Sequence, residues 1–169
     1  MTRPQPNEFA TYYSRYIDLI SGDEIVSTLK SQLEETNKFL ATISEDRSLK
    51  SYAPDKWTIR QVQSHVNDGE RVFLSRAFWF ARGFPEALPG FDQDVSVQAA
   101  GANDVPWENL KNEFSDIRRS TISFFENLPK DAWMRTGVAS GYPFTVNALA
   151  YIIAGHVTHH RNVLRERYL

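Results

Sequence analysis

Apolar residues recur along this chain with the 3.6-residue period of amphipathic helices, and no stretch shows the sustained alternation that is typical of strands. This helical rhythm covers four long segments, at about Asp23–Ile43, Thr58–Gly83, Asp104–Pro129 and Thr145–Leu169. Amphipathic helices joined by mixed loops bury their apolar faces against one another, which predicts an all-α four-helix bundle.

Local signals mark where these helices begin. Asp23 is a candidate N-cap for the first helix, and Thr58 with Gln61 has the form of a capping box for the second. Pro106 suits the first helical position of the third helix, and Thr145 suits the N-cap of the fourth.

Three segments carry this rhythm weakly or not at all. Phe9–Ile20 is rich in tyrosine and predicts a short extra N-terminal helix that packs across the bundle. Gly83–Asp104 contains three glycines and two prolines, and a connection of about 20 residues is usually a functional lid or a long crossover. Lys130–Pro143 is rich in turn residues.

The depths of two histidines in their helices favour one topology. His65 lies about 10 Å from the start of the second helix, and His160 lies about 12–13 Å from the end of the fourth. The two residues reach the same height if these helices run antiparallel, which makes the second and third helices parallel. A connection of about 20 residues can travel the length of the bundle, so the sequence predicts an up-down-down-up arrangement.

Histidine is rare in this chain and clustered. It occurs at four positions, three of which are His156, His159 and His160. A spacing of four places His156 and His160 on one helical face, where both imidazoles can reach one ion with bonds of about 2.0–2.1 Å. That face and the face around His65 are otherwise apolar, so His65, His156 and His160 are predicted to hold one divalent metal ion. The alternative is three core histidines without a metal, each in need of a hydrogen-bond partner.

Other polar residues near these histidines are open to more than one interpretation. Asp68 shares much of the face of His65, so it could orient an imidazole or act as a catalytic base, or be a solvent-facing or salt-bridged aspartate. His159 lies at the edge of the histidine face, either beside the ligands or exposed. Glu70 points elsewhere on its helix and is expected to be structural.

Two further groups of residues could border a pocket. Some arginines could attract an anionic substrate, although solvated arginines are the commoner case. These are Arg60, Arg161 and Arg165. Three tyrosines near the N-terminus could wall a pocket mouth, although core packing or a dimer contact is the commoner role. These are Tyr12, Tyr13 and Tyr16.

Length and composition narrow the class of protein. We expect a single bundle domain over 1–169, with an N-terminal extension at 1–22 and a long crossover loop at 84–104. The absence of cysteine excludes disulfides, thiolate ligands and cysteine nucleophiles. A net charge of −2 without a basic stripe argues against nucleic-acid binding and membrane anchoring. The apolar runs are too short to span a membrane and the N-terminus has no secretory signal, so a cytoplasmic location is expected.

Three short motifs occur together in this chain. They are Lys56-Trp57-Thr58 at the start of the second helix, His65 seven residues later with Asp68 and Glu70 following, and Gly155-His156-x-x-His159-His160 on the last helix. In combination they resemble the DinB-like family of damage-inducible, bacterial four-helix-bundle metalloenzymes, and the resemblance extends from about Glu24 to the end. The fold of that family is the same up-down-down-up bundle.

This resemblance also implies a ligand set and a range of reactions. Its metal triad falls on His65, His156 and His160, its usual ions are zinc and nickel, and its members commonly form homodimers. Characterised relatives include thiol S-transferases that use low-molecular-weight thiols and, in a neighbouring branch, a maleylpyruvate isomerase.

The functional hypothesis follows from the neutral ligand set. Three neutral ligands leave an ion its full charge and an open position, which is typical of catalytic sites. We expect a metal-dependent enzyme that acts on a small molecule by nucleophilic transfer or hydrolysis, with thiol S-transfer as the specific hypothesis. Two alternatives stay open: a non-enzymatic small-molecule or metal-binding stress-response bundle, and a structural or interaction module in which the histidines only fill the core.

Overall fold

The structure is a computed structural model that describes residues 2–169. Within that range it contains seven α-helices, one antiparallel pair of strands and four short 3₁₀ turns. The helices are α1 (Ser14–Ile17), α2 (Ile25–Ala41), α3 (Glu45–Ser48), α4 (Ile59–Ala81), α5 (Gln93–Ala99), α6 (Trp107–Glu126) and α7 (Val146–Arg167). The strands are β1 (Thr136–Ala139) and β2 (Tyr142–Thr145), and the 3₁₀ turns are Pro6–Glu8, Thr11–Tyr13, Ala102–Asp104 and Lys130–Met134.

The long helices α2, α4, α6 and α7 form the predicted bundle, in which α4 and α6 are parallel. Asn67 Nδ2 donates a hydrogen bond to Leu110 O at 3.1 Å, and Glu70 pairs with Arg118 further along both helices. In the part of the chain that the structure describes, no helix has the length and apolar character to cross a membrane.

The last helix, α7, runs antiparallel to α4 and parallel to α2. Tyr168 Oη at the end of α7 donates to Trp57 O just before α4, at 2.8 Å. Tyr151 Oη near the start of α7 donates to Gly22 O just before α2, at 3.0 Å. Together with the parallel α4 and α6, these contacts confirm the up-down-down-up topology.

The predicted extra helix near the N-terminus is also present, as α1. It packs against α7 at Gly155, where a Cβ would lie 2.1 Å from Tyr16 O. Because no side chain fits in that space, the glycine permits the close approach of the two helices.

Two of the predicted helix starts are correct and two are displaced by one residue. The Thr58 hydroxyl accepts from Gln61 N at 3.2 Å while Gln61 Oε1 accepts from Thr58 N at 2.9 Å, which completes the capping box. The Thr145 hydroxyl likewise accepts from Ala148 N at 2.9 Å. By contrast, α2 has Glu24 rather than Asp23 at its N-cap, and Pro106 is the N-cap of α6 rather than its first residue.

Two connections contain regular structure that the sequence pattern does not reveal. The long crossover includes α5, which begins where Asp92 Oδ1 accepts from the backbone N–H groups of Asp94 and Val95 at 3.0 and 3.1 Å. The turn-rich stretch after α6 includes the β1–β2 hairpin. Its turn residues Ser140 and Gly141 have φ of 54° and 81°, which suits a two-residue hairpin turn.

The bundle core consists of two apolar clusters with a polar layer between them. The cluster nearer α1 includes Leu29, Phe80, Phe125 and Leu149. The cluster at the opposite end includes Leu40, Val62, Phe114 and Leu164. Between them every long helix contributes a buried polar residue: Gln32, Glu70, Arg118 and His156. Buried polar groups need partners, so this layer is the part of the core in which a functional site is expected.

Candidate metal centre

Three imidazoles meet at one side of the polar layer. His65 lies near the start of α4, and His156 and His160 lie one turn apart on the antiparallel α7. His156 Nε2 lies 3.0 Å from His65 Nε2 and 3.1 Å from His160 Nε2. The structure therefore brings together the three residues that the sequence spacing indicates, and their candidate ligand atoms all lie within 4.8 Å of one another.

The arrangement of the three nitrogens suits a metal ion. Around a tetrahedral ion with bonds of about 2.0–2.1 Å, ligand nitrogens lie about 3.3 Å apart, close to the separations found here. Without an ion, Nε2 of neutral His156 carries either a proton or a lone pair, so it must donate to both neighbours or accept from both. One cation would instead accept a lone pair from each of the three rings.

Burial keeps these imidazoles neutral, which is the form that binds metals. Burial lowers the pKa of His65 to about 4. Burial also lowers the pKa of His156 and of His160 well below the ordinary value, and the neighbouring histidines lower both further. At neutral pH the cluster is therefore uncharged.

Close packing fixes the ring of His156. Tyr16 and Phe73 each approach it edge-on, with ring centroids 5.3 Å and 5.7 Å away. A Cβ on Gly69 would lie 2.7 Å from His156 Cε1, which is too short for a contact. Since alanine favours a helix by about 1 kcal/mol over glycine, Gly69 is explained by the space that the imidazole needs.

A cavity of about 280 Å³ adjoins the cluster on the side of His65 and His156. Tyrosines and phenylalanines form a large part of its wall, and we call it the aromatic cavity. Its aromatic residues are Tyr12, Tyr13, Tyr16, Phe73 and Phe91. The N-terminal tyrosines thus line a pocket, and the crossover contributes Phe91 to the same wall.

A second cavity, of about 360 Å³, adjoins the cluster on the side of His160. Its wall contains two carboxylates and one ammonium group, and we call it the acidic cavity. These charged residues are Asp55, Asp94 and Lys56. His159 belongs to this wall: it is half-buried beside His160, with ring centroids 4.9 Å apart, and lies outside the group of three converging nitrogens.

Asp68 lies near the cluster without contacting it. Its Oδ2 accepts from Ser96 Oγ at 2.8 Å, and its Oδ1 lies 3.4 Å from Arg71 Nη1. The bond from Ser96 connects α5 to α4, whereas the contact with Arg71 lies within α4. His65 Nδ1, which Asp68 could have oriented, is buried and has no hydrogen-bond partner among residues 2–169. A role for Asp68 as a base stays a prediction.

The three arginines proposed to attract an anion have other partners and do not line the aromatic cavity. Arg60 pairs with Glu45, Arg161 pairs with Glu35 at 3.1 Å, and Arg165 covers the ring of Phe39 at 4.9 Å.

The arginine in the cavity wall is Arg76, which the sequence analysis missed. Its position eleven residues after His65, about three turns along the same helical face, is the signal that could have found it.

The sequence places this arrangement within a known group of proteins. A profile of the DinB superfamily matches residues 28–164. The chain belongs to the DinB superfamily. The match includes the whole of α4 and α6, most of α2 and α7, and the three converging histidines. No curated protein matches the sequence.

Two solved structures share this DinB fold at low sequence identity. YfiT from Bacillus subtilis, described as a probable metal-dependent hydrolase with an unusual four-helix bundle topology, is 17% identical with a TM-score of 0.72, and the match covers 87% of each chain. The mycothiol-dependent maleylpyruvate isomerase is 13% identical with a TM-score of 0.70, over 87% of this chain and 61% of the isomerase. At these identities the likeness shows the fold alone.

Proposed function

We propose that this DinB superfamily protein is a metal-dependent enzyme that carries out nucleophilic transfer or hydrolysis on a small molecule. The observation that carries the proposal is the convergence of three neutral Nε2 atoms beside two cavities. The proposed ligands are His65, His156 and His160, and the proposed ion is Zn²⁺ or Ni²⁺. When bound, such an ion lowers the pKa of a coordinated water or thiol and so prepares a nucleophile.

The two cavities support a reaction between two molecules. His65 and His156 face the aromatic cavity, whereas His160 faces the acidic cavity. A substrate and a second reactant can therefore approach the cluster from different sides, with the side chains of each wall orienting one of them.

Thiol S-transfer is the specific reaction that we propose. The chain has no cysteine, so the thiol must be a low-molecular-weight cosubstrate. A fold neighbour whose name states that it depends on mycothiol supports this choice.

Metal content tests the proposal directly. Elemental analysis of the untagged protein should find about one equivalent of zinc or nickel in the wild type and little in His65→Ala or His156→Ala. His159→Ala is the matched control on the same helix and should retain the metal. Circular dichroism should show that all variants keep their helical content. A wild type that holds no metal even after reconstitution, or activity that survives complete metal removal, would contradict the proposal.

A non-enzymatic metal-binding or small-molecule-binding bundle is the second candidate function. It is favoured by the absence, among residues 2–169, of a carboxylate hydrogen-bonded to the three imidazoles, since Asp68 is engaged by Ser96 and Arg71. It predicts tight ligand binding without turnover across thiol and ester substrates. Metal-dependent turnover would exclude it.

The homodimer and the cytoplasmic location stay predictions.

A further inference from the structure

The wall of the aromatic cavity contains a buried cation. Arg76 is 4% exposed and lies on the same face of α4 as His65. Its Cζ lies 6.0 Å from the centroid of the Phe73 ring, and that centroid lies 5.7 Å from the centroid of the His156 ring. The Phe73 ring thus lies close both to the guanidinium and to the histidine cluster.

Within residues 2–169 the guanidinium of Arg76 has no carboxylate partner. Its Nη2 donates to Pro89 O at 3.1 Å and to Ser140 Oγ at 3.0 Å, and both acceptors are neutral. Over the same residues, Nε and Nη1 form no hydrogen bond. Neither is among the fully buried polar atoms without a partner, so each keeps some accessible surface on a residue that lines the cavity.

A buried cation without a counter-charge is unfavourable, because burial removes its hydration and two neutral acceptors replace only part of the lost interaction. No carboxylate lines the described wall of the aromatic cavity; its polar residues besides Arg76 are histidines, tyrosines, Gln93 and Ser140. The wall is therefore complementary to an anion, and a bound anion would supply the missing partner.

The rest of the wall indicates which kind of anion fits. Aromatic rings form part of this wall together with Val72, among them Phe73 and Tyr13, whose centroids lie 5.9 Å apart. Rings of this kind favour an apolar body. No second cation lines this wall in the described chain, so the singly charged carboxylate matches the site better than a phosphate ester, which carries nearly two negative charges at neutral pH.

We propose that the aromatic cavity binds a small carboxylate with an apolar body, whose carboxylate pairs with Arg76 and whose opposite end lies at the histidine cluster. This inference deepens the proposed function, on which it rests for the reaction at the cluster, by naming the class of substrate. The pairing with Arg76 itself needs no metal, so the two proposals can be tested separately.

Calorimetric titration with 3-phenylpropionate and its neutral amide tests the pairing. We expect the wild type, both metal-loaded and chelated, to bind the acid at least tenfold more tightly than the amide. Arg76→Gln should abolish this preference while leaving the amide affinity within about twofold, and Arg76→Lys should keep part of it. Arg82→Gln is the matched control, because Arg82 is exposed at the C-cap of the same helix and outside this wall.

The possible outcomes separate the two proposals. If the acid fails to bind the wild type at millimolar concentration, or binds the chelated protein no better than the amide, the inference is overturned. A preference that persists in Arg76→Gln but disappears on chelation would place the carboxylate on the metal and also overturn it. Tighter Arg76-dependent binding of phenyl phosphate would contradict the choice of a carboxylate. Should the wild type hold no metal while the Arg76-dependent preference persists, the proposed function fails and the anion site stands.

Discussion

The two buried faces of α4 differ in whether their polar side chains have partners within the protein. Towards α6, Glu70 and Arg118 form an ion pair of 2.7 Å with exposures of 1% and 0%, and Arg118 also donates to Gln32 at 2.8 Å. Towards the aromatic cavity, Arg76 has no carboxylate partner and His65 Nδ1 has no hydrogen-bond partner, as far as residues 2–169 are concerned.

The paired side chains towards α6 hold the bundle together, whereas those without such partners towards the cavity are available to a ligand. Buried polar groups that satisfy one another join helices in one specific arrangement. Buried polar groups that the chain leaves unsatisfied destabilise the fold and are explained when a molecule from outside completes them. Changes to the face towards α6 should therefore affect stability, and changes to the cavity face should affect binding.

The largest effect is expected from Glu70→Gln on the face towards α6. The substitution keeps the size of the side chain but leaves the charge of Arg118 buried without a counter-charge, which costs about 3–5 kcal/mol. Urea unfolding followed by circular dichroism measures the free energy of unfolding. Asp116→Asn, which breaks the exposed pair with Arg119, is the control and should change that free energy by less than about 1 kcal/mol. Equal effects of the two variants would show that the buried pair stabilises the fold no more than an exposed pair does.

Acidification should lower the free energy of unfolding of the chelated protein, through a histidine on the cavity face. Burial lowers the pKa of His65 from its ordinary value of 6.5 to about 4. Between these values the unfolded chain binds a proton that the folded protein does not, so stability is full above pH 6.5 and is lost as the pH falls towards 4. His65 alone should contribute about 3 kcal/mol to this loss. Urea unfolding at several pH values tests this, and an unchanged slope in His65→Leu would assign the acid sensitivity to other groups.

Most of the bundle could be predicted because its signals are local. The apolar period locates the four long helices, and the hydroxyls of Thr58 and Thr145 act within their own first turns. The topology could also be predicted, since the depths of His65 and His160 follow from helix geometry and the crossover is long enough to run the length of the bundle. The β1–β2 hairpin was missed because each strand has four residues, too few for alternation to be recognised.

The candidate site was predictable only in part. The convergence of His65, His156 and His160 follows from their spacing and from the antiparallel helices. The contrast between Arg60 and Arg76 does not follow from the sequence, because both residues are buried and both lie on α4. Only tertiary contacts show that Arg60 is paired with Glu45 while Arg76 lacks a carboxylate.

On the cavity face, Gly69→Ala should weaken metal binding without unfolding the protein. Its Cβ would lie 2.7 Å from His156 Cε1, and that ring is confined by Tyr16 and Phe73, so the imidazole must move. We expect metal affinity to fall by about tenfold, as for other changes that reorient a ligand. Competition with a chelator measures it. Ser75→Ala, at an exposed position of the same helix, is the control, and unchanged affinity in Gly69→Ala would show that the ring can adjust.

The smallest effect on stability is expected from Arg76→Met, although this residue is almost as buried as Arg118. The substitution keeps an unbranched side chain of similar reach and removes a cation that has no counter-charge in the described chain, so the relief of its desolvation offsets the loss of the bonds to Pro89 and Ser140. The free energy of unfolding should change by less than about 1 kcal/mol, in either direction. The same urea experiment as for Glu70→Gln measures it. A loss of 3 kcal/mol or more would mean that Arg76 stabilises the fold as Arg118 does. Both buried faces of α4 would then contribute to stability in the same way.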